Sequence, residues 1–342
     1  MMKAKEISGQ APGGKRMRLG EVLPLATPLV VQIFPIYACN FRCGYCLFSV
    51  PKSQRHFVTD RVQMDYELFR KAVKDMTHFP DRIKVLRFVG IGEPLLHPRI
   101  VDMIRFAVSQ DVSRVVELLT NAFLLTPSVS DALIEAGLSR LVISVQGTSA
   151  EKYYAICGAR IDFDLFVDQI RYFYENKKET HVYIKVVDCA LDGEEDKALF
   201  YETFGNFCDT IAVEYAVPIH HGVKYDRLLR DKQRYVTQFG LPVQDVHICP
   251  QPFFTMQINP DGNIVPCYSF EYPQIMGNCT NQAVTAIWNG KTFQRFRRAM
   301  LDGIECTGDV CRRCNIIKYR LFPEDVLNDY AERLKPLYGE PF

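Results

Sequence analysis

The feature that most restricts the fold is an alternation of short apolar segments with helix-like segments between residues 28 and 214. Strand-like runs occur at 28–34, 83–89, 114–119, 140–145, 182–187 and 210–214. Residues 65–76, 98–109, 127–136, 163–173 and 194–204 lie between them and have patterns typical of helices. Six strands separated by helices predict a run of βα units and a parallel sheet.

Three cysteines, Cys39, Cys43 and Cys46, follow the first predicted strand in a C-x3-C-x2-C spacing. Thiolates are the usual ligands of four-iron clusters, and three of them leave the fourth iron open to a substrate or cofactor. Zinc is the alternative, but zinc sites usually have two pairs of ligands, whereas this loop is an odd triplet without histidine. We therefore predict a [4Fe–4S] cluster, at the carboxyl end of a strand where barrel folds place their active sites.

A second group of cysteines begins after residue 247, where the βα alternation has stopped. Cys249 and Cys267 are followed by a C-x2-C pair, Cys311 and Cys314. Residues 259–262, Asn-Pro-Asp-Gly, predict a hairpin turn within this segment. Taken alone, four cysteines in two pairs are typical of a zinc site.

The charge balance and hydropathy argue against two classes of partner. The 41 basic and 40 acidic residues give a net charge of +1, so no basic excess indicates nucleic-acid binding. No apolar run reaches the ~20 residues of a membrane span, and residues 1–20 lack an apolar signal core. Twelve cysteines in a reducing compartment are more often ligands or catalysts than disulfides. We predict a cytoplasmic protein.

Polar motifs follow the next three predicted strands. Glycine lets a backbone approach a ligand closely, and a carboxylate accepts hydrogen bonds from an ammonium group. As isolated residues, such groups are more often parts of turns and caps. The motif residues are Gly92, Glu93 and Pro94 after the second strand, Asn121 after the third, and Ser144 and Gln146 at the end of the fourth.

The cysteine triplet resembles the signature of the radical S-adenosylmethionine (SAM) superfamily, including an aromatic residue, Tyr45, before the last cysteine. The resemblance implies an α/β fold with a partial (β/α)6 TIM-like barrel. It implies a [4Fe–4S] cluster whose open iron chelates SAM and, when reduced, cleaves it to a 5′-deoxyadenosyl radical that abstracts a substrate hydrogen. It also implies an electron donor of the flavodoxin or ferredoxin type.

The polar motifs match the same superfamily with three departures. Gly92, Glu93 and Pro94 match its Gly-Gly-Glu-Pro motif, which holds the SAM amino group, with Ile91 in place of the first glycine of the pair. Residues 120–122 resemble Thr-Asn-Gly with alanine last, and residues 144–147 resemble Ser-x-Asp-Gly with glutamine in place of aspartate. The resemblance implies that Asn121, Ser144 and Gln146 contact SAM.

The C-terminal segment resembles the SPASM/twitch extension of radical SAM enzymes, including its Gly-Asn, Ile-Trp-Asn and final C-x2-C elements. No cysteine follows Cys314, so the resemblance implies the shortened twitch arrangement, with one auxiliary [4Fe–4S] cluster held by Cys249, Cys267, Cys311 and Cys314. We expect a leader at 1–24, a radical SAM barrel at 25–216, a connector at 217–247, a twitch/SPASM-like domain at 248–320 and a tail at 321–342.

Candidate catalytic groups follow the last two predicted strands. Cys189 follows the fifth strand, where a thiol can quench a substrate radical as in radical SAM epimerases, and its neighbour Asp188 can act as a base. Glu214 ends the sixth strand and is a similar candidate. Four further cysteines are interpreted as packing residues, with ligation or hydrogen donation as the alternative: Cys157, Cys208, Cys279 and Cys306.

Such a protein could act on one of two kinds of substrate, a small molecule or a peptide. Twitch-type relatives modify sugars and aminocyclitols, so the first hypothesis is oxidation or epimerisation at a carbinol carbon of a small sugar-like or aminocyclitol substrate. The alternative is a peptide or protein maturase, against which the short segment before the first strand argues. A structural zinc protein would require all of these motifs to match by accident.

Overall fold

The computed structural model describes residues 2–7, 16–55, 59–220, 222–229, 235–268 and 271–339. The strands are β1 Lys5–Glu6, β2 Val30–Ile33, β3 Val85–Phe88, β4 Val116–Thr120, β5 Arg140–Val145, β6 His181–Val187, β7 Thr210–Glu214, β8 Thr255–Ile258, β9 Asn263–Val265 and β10 Gly277–Asn278. The helices are α1 Leu19–Val22, α2 Tyr66–Met76, α3 Ile100–Ser109, α4 Pro127–Glu135, α5 Ala150–Cys157, α6 Phe163–Asn176, α7 Glu194–Phe204, α8 Gln251–Phe254, α9 Val284–Trp288, α10 Lys291–Leu301, α11 Asp309–Arg312, α12 Ile316–Tyr319 and α13 Ala331–Leu334.

One sheet connects the barrel with the C-terminal domain, in the order β1-β7-β6-β5-β4-β3-β2-β8-β9-β10. All neighbours from β1 to β8 in this order are parallel, whereas β9 and β10 are added antiparallel. Strands β2 to β7 are the six predicted from the sequence. The prediction of an α/β partial barrel with a C-terminal cysteine-rich domain is therefore confirmed.

Three of the elements that the sequence prediction lacks shape the barrel sheet and the site. Strand β1 pairs with β7 and β8 pairs with β2, but these strands have only two and four residues and carry no detectable periodicity. Helix α5 is the third. It begins at Ser149, whose hydroxyl accepts a hydrogen bond from the Lys152 amide, and it ends at Gly158, which has a φ of +70°.

The described parts of the predicted leader are packed against the fold rather than loose. Ala4 and Ile7, which flank β1, are buried; residues 8–15 lie outside the described part of the chain. Arg16 donates to Asp325 Oδ2 at 2.5 Å, and its guanidinium lies 4.0 Å from the ring of Phe322. The beginning and the end of the chain therefore contact each other beneath the barrel sheet. Among the described residues, no helix has the length and apolarity needed to span a lipid bilayer.

A buried ion-pair network joins three neighbouring strands inside the barrel. Glu117 on β4 accepts hydrogen bonds from Arg87 on β3 and, at 2.8 Å, from Arg140 on β5. Burial alone would raise the pKa of Glu117, but the two guanidinium groups hold it below its ordinary value. One carboxylate thus compensates two interior cations.

We predict that Glu117→Gln lowers the free energy of unfolding by about 3 kcal/mol at pH 7, because it leaves two interior guanidinium groups without a compensating charge. The pKa of Glu117 is depressed in the folded state, so the stabilisation is complete above the unfolded-state pKa and disappears as the pH falls through the folded-state value. Urea titrations at pH 7 and pH 4 measure both effects. The control is Glu202→Gln on the exposed face of α7, and equal midpoints for the two variants at pH 7 would contradict the prediction.

Candidate active site and auxiliary metal centre

A cleft of about 1100 Å³ lies at the carboxyl ends of the parallel strands and opens to solvent. Its wall comes from the loops after β2 to β7, from the connector and from the C-terminal domain. The strand topology thus brings together side chains that are far apart in the sequence. Nine of the predicted site residues line the cleft: Cys39, Cys43, Tyr45, Cys46, Gly92, Glu93, Asn121, Ser144 and Glu214.

The triplet loop is fixed by the carboxyl end of α5. The amides of Arg42 and Gly44 donate to the carbonyl oxygens of Cys157 at 3.0 Å and Ile156 at 2.9 Å. Within the loop, the Cys46 amide donates to the Cys43 carbonyl at 2.9 Å. Because an irregular loop has to find partners for its backbone groups, the unpredicted helix α5 supplies the acceptors that hold the cysteines at the cleft.

The three thiols of this loop require a cation to become thiolates. Burial raises the pKa of Cys39 to about 12 and also raises that of Cys46, while a hydrogen bond with Cys157 and burial raise the pKa of Cys43. Iron ions supply the missing positive charge, since metal binding deprotonates a thiol. Cluster ligands bind different irons and need not converge on one point; among the described residues, no three His, Cys, Asp or Glu side chains surround a single-ion position. The donor set fits a [4Fe–4S] cluster with one iron left open.

Gly92 is required by the close approach of two backbone segments. A Cβ atom at this position would lie 2.3 Å from the carbonyl oxygen of Ile36 and 2.8 Å from that of Ala38. The neighbouring Glu93 amide donates to the Ala38 carbonyl at 2.8 Å. The loop after β3 is therefore locked against the beginning of the triplet loop. Ile91, the departure from the family motif, is buried in an apolar cluster and does not meet this constraint.

Glu93 is buried and fully oriented by three donors. Oε1 accepts from the Thr120 hydroxyl at 2.7 Å and the Leu95 amide at 2.9 Å, and Oε2 accepts from the Asn121 amide at 2.7 Å. Burial raises the pKa of Glu93 to about 7. A carboxylate oxygen accepts two hydrogen bonds, so Oε2 retains capacity for an ammonium donor. Pro94 begins the next turn and is buried outside the cleft wall.

Asn121 extends from the same loop towards the cysteines. Its Nδ2 donates to Asn40 Oδ1 at 2.8 Å and lies 4.0 Å from Cys39 Sγ. The next residue, Ala122, has a φ of +60°, in the left-handed region that favours glycine. This conformation explains why the family pattern has glycine here, and Ala122 retains the turn despite its side chain.

Gln146 connects the end of β5 with the triplet loop. Its Oε1 accepts hydrogen bonds from the Tyr45 hydroxyl and, at 3.3 Å, from the Cys43 thiol, while its Nε2 donates to the Ser144 carbonyl at 2.9 Å. Ser144 lines the cleft, whereas Gln146 lies behind the lining and positions Tyr45. The sequence prediction assigns both to SAM contacts.

Glu214 is held as a carboxylate in the cleft wall. It accepts from Lys185 Nζ at 2.7 Å, from Gln238 Nε2 at 2.7 Å and from the Tyr183 hydroxyl at 3.2 Å. Burial alone would raise the pKa of Glu214, but Lys185 and Gln238 hold it below its ordinary value. It is therefore ionised at neutral pH and paired with a cation.

Asp188 and Cys189 lie in a short turn directly after β6. Asp188 Oδ1 accepts from the Ala216 amide at 2.7 Å, which links this turn to the end of β7. Cys189 is close enough to Tyr45 for its charge to raise the pKa of the phenol, after the larger effect of burial. Within the described part of the chain, neither side chain belongs to the cleft wall.

The cleft residues that the sequence prediction does not name include Gln238, Tyr268 and Arg320. Arg320 Nε donates to Gln238 Oε1 at 2.6 Å, and its guanidinium lies 4.8 Å from the ring of Tyr268. The backbone of Gln238 bonds both to Tyr319 at 2.8 Å and to Tyr215 at 2.9 Å. The connector therefore joins the barrel to the C-terminal domain. The only local signals are the position of Tyr268 beside Cys267 and of Arg320 just after the C-x2-C pair.

The four predicted auxiliary ligands surround one small apolar cavity of about 390 Å³. Burial raises the pKa of Cys311 to about 11 and raises those of Cys249 and Cys267 further. Cys314 lies one helical turn from Cys311, with its amide donating to the Cys311 carbonyl at 3.0 Å. Four thiols around one space fit a cluster in which every iron has a cysteine. Tyr268 lines both this cavity and the cleft.

The other cysteines lie outside both cavities. Cys208 and Cys279 are fully buried in the apolar core, and Cys157 is buried beneath Cys43. Cys306 is exposed, with its thiol 3.7 Å from the Asp302 carbonyl. The packing interpretation therefore does not describe Cys306.

Family comparisons match both halves of this arrangement. A model of the radical SAM superfamily matches residues 33–198, and a model of the SPASM iron–sulfur cluster-binding domain matches residues 249–315. The first range contains the cysteine triplet, Glu93 and Asn121. The second begins at Cys249 and ends just after Cys314.

Individual proteins are similar over most of the chain. A tungsten-containing aldehyde ferredoxin oxidoreductase cofactor-modifying protein of Pyrococcus furiosus is 24% identical over 298 residues, which cover 76% of this chain and 80% of the relative. The structure of BtrN in complex with AdoMet and 2-DOIA is 18% identical with a TM-score of 0.53, covering 86% of this chain and 95% of BtrN. The structure of Streptococcus suis SuiB bound to precursor peptide SuiA is 18% identical with a TM-score of 0.61, covering 82% of this chain and 69% of SuiB. These structural similarities establish the fold.

We predict that Gly92→Ala reduces the rate of SAM cleavage about 100-fold, because the added Cβ forces apart two segments that orient the site. Gly193→Ala is the matched control, since Gly193 also has a positive φ but no atom lies within 4 Å of its added Cβ. The measurement is 5′-deoxyadenosine formation by reduced protein with its iron content checked. Equal rates for the two variants would contradict the steric argument.

We predict that replacing Cys267 and Cys314 together by alanine lowers the iron content from about eight to about four per chain, because the auxiliary cavity loses two of its four ligands. The matched control is Cys279→Ala, which removes a fully buried thiol outside that cavity and leaves about eight irons. Iron and sulfide assays with Mössbauer spectra measure the outcome. The ligand assignment would be wrong if the Cys279 variant lost iron, or if the double variant kept all of its iron.

Proposed function

Because the chain belongs to the radical SAM superfamily and carries a SPASM domain, we propose that it oxidises or epimerises a carbinol carbon of a small sugar-like or aminocyclitol substrate. The observation that carries the proposal is the shared wall between the cleft and the auxiliary cavity, formed by Tyr268. A substrate in the cleft is thereby adjacent to both cysteine groups. The cleft borders the triplet loop and opens to solvent, which supports access of a small substrate beside SAM.

The chain's own residues divide into binding and proton-handling groups. When bound, the cofactors supply a 5′-deoxyadenosyl radical that removes hydrogen from the substrate, and an auxiliary cluster that exchanges one electron. Glu93 and Asn121 bind and orient SAM beside the triplet loop. Glu214 is ionised and in the cleft wall, so it is placed to take the hydroxyl proton in an oxidation. In an epimerisation, Cys189 in the turn after β6 would donate a hydrogen atom to the substrate radical, and an electron from the auxiliary cluster with a proton from solvent would restore its thiol. Asp188 in the same turn is the alternative base.

Peptide modification is the second candidate. The observation that favours it is the fold similarity to SuiB, whose structure was determined with a precursor peptide. A peptide would enter through the solvent-facing side of the cleft. The oxidation and epimerisation proposal is preferred because the polar groups at the base of the cleft suit a hydroxylated small molecule.

We predict that replacing Cys39, Cys43 and Cys46 together by alanine abolishes SAM cleavage and leaves one cluster of about four irons, because only the auxiliary ligands remain. Anaerobic reconstitution followed by iron counting and 5′-deoxyadenosine assay measures both quantities. Residual 5′-deoxyadenosine above the reagent background would count against the assignment of the triplet.

The reaction class is tested by turnover of sugars, aminocyclitols and peptides in D2O. Oxidation gives a product two mass units lighter, whereas epimerisation from a solvent-exchanged thiol gives a product with one deuterium. If the outcome is epimerisation, Cys189→Ala abolishes deuterium transfer, and Cys306→Ala, at an exposed position, leaves it unchanged. Turnover of peptides alone would establish the second candidate.

A further inference from the structure

We propose that Arg320 is an anion-binding residue that selects substrates carrying a carboxylate or phosphate group. This inference rests on the proposed function, because it specifies the substrate of the same cleft. It also narrows that function, because a cationic aminocyclitol is stabilised by a negatively charged cleft and an acidic sugar by a positively charged one.

Arg320 is held in place by groups that leave its terminal nitrogens available. Its Nε donates to Gln238 Oε1 at 2.6 Å, and its guanidinium lies 4.8 Å from the ring of Tyr268. In the part of the chain that the structure describes, no carboxylate forms an ion pair with Arg320, and its terminal nitrogens have no hydrogen-bond partner. A guanidinium presents paired N–H donors that match a carboxylate or phosphate group.

The nearest carboxylate does not compensate this charge. Glu214 binds Lys185 at 2.7 Å and accepts from Gln238, whose amide thereby separates Glu214 from Arg320. Because Gln238 donates to Glu214 and accepts from Arg320, its amide orientation is determined on both sides. Glu214 is bound directly by Lys185 and lies one amide away from Arg320, so one carboxylate serves two cations and a net positive charge remains.

The barrel interior, counted together with Arg320, also carries a net positive charge. Its described ion pairs contain four cations and four carboxylates, and Arg320 adds one further cation, which gives a net charge of +1. Glu93, at the opposite wall, is assigned to the ammonium group of SAM. An anionic substrate compensates the excess, whereas a cationic amine increases it. The paired cations are Arg16, Arg87, Arg140 and Lys185, and the carboxylates are Glu117, Glu214, Glu324 and Asp325.

Arg320 also lies on the boundary between two cavities. A second interior cavity of about 1110 Å³ extends below the cleft, and the two share Leu119, Lys185, Glu214, Gln238, Tyr268 and Arg320 in their walls. The cleft that Arg320 lines is also lined by Cys46 of the triplet and by Tyr268, which lines the auxiliary cavity as well. An anion bound to Arg320 therefore lies between the triplet loop and the auxiliary cavity, within reach of both.

The test compares four probes on one sugar scaffold: glucose 6-phosphate, glucuronate, glucose and glucosamine. Binding to anaerobically reconstituted holoenzyme with SAM is measured by calorimetry for the wild type, Arg320→Gln and Lys318→Gln. Lys318 is exposed on the neighbouring helix α12 and lies outside both cavities, so its variant controls for the loss of one positive charge.

We predict that the wild type and the Lys318 variant bind the phosphate or the carboxylate probe at least tenfold more tightly than glucose, and that glucosamine binds most weakly. Arg320→Gln is expected to weaken the anionic probe by about 10- to 100-fold, the effect of hydrogen bonds to a charged group, with glucose unchanged. The preferred anionic probe distinguishes phosphate from carboxylate. An unchanged ratio of anionic to neutral affinity in Arg320→Gln, or preferential binding of glucosamine, would overturn the proposal.

Arg320→Lys separates folding from recognition, because it keeps the charge and loses the fork geometry. If Arg320→Gln fails to retain about eight irons, the lysine variant is measured in its place and is expected to lose about tenfold for the anionic probe. If Arg320→Lys binds the anionic probe as tightly as the wild type does, the proposal is overturned. Failure of the proposed function is recognised separately: anions then bind through Arg320 while no sugar is oxidised or epimerised.

Discussion

The parallel pairing of β2 with β8 is the contact on which the rest of the structure depends. Val30–Ile33 pairs in register with Thr255–Ile258, and the Leu29 and Phe34 amides donate to carbonyl oxygens of the same segment at 2.9 and 3.0 Å. The triplet loop follows β2, while Cys249 precedes β8 and Cys267 follows the next strand. One ladder thus sets the distance between the two cysteine groups. A slip of two residues would keep the same faces buried but move one group by about 7 Å.

The β2–β8 pairing also marks the boundary of what the sequence can predict. Strands β2 to β7 and their polar carboxyl ends follow from apolar periodicity and from motifs placed directly after each strand. The pairing of β8 and the bond between Gln238 and Arg320 join residues that are distant in the chain, 82 positions apart in the latter case. No local pattern encodes such contacts. Helix α5 is missed for another reason, since its apolar face is short and its caps are the clearest signals.

Charge compensation is distributed unevenly along the barrel axis. In the interior, Glu117 is shared between two arginines, and nearer the cleft Glu214 neutralises Lys185. Each carboxylate has a depressed pKa because the cations outweigh the effect of its burial. Glu93 differs: no cation of the described chain compensates it, and burial raises its pKa to about 7. A cationic ligand is what its site lacks, and the SAM ammonium group has that charge.

The departure from the family pattern at Gln146 follows from the same electrostatics. Its amide contacts the Cys43 thiol at 3.3 Å and the Tyr45 hydroxyl. Once Cys43 becomes an iron-bound thiolate, it can only accept a hydrogen bond. A carboxylate at 146 would then face a second negative charge, whereas the amide is neutral. Glutamine at this position therefore orients Tyr45 without placing a second negative charge beside the cysteine loop.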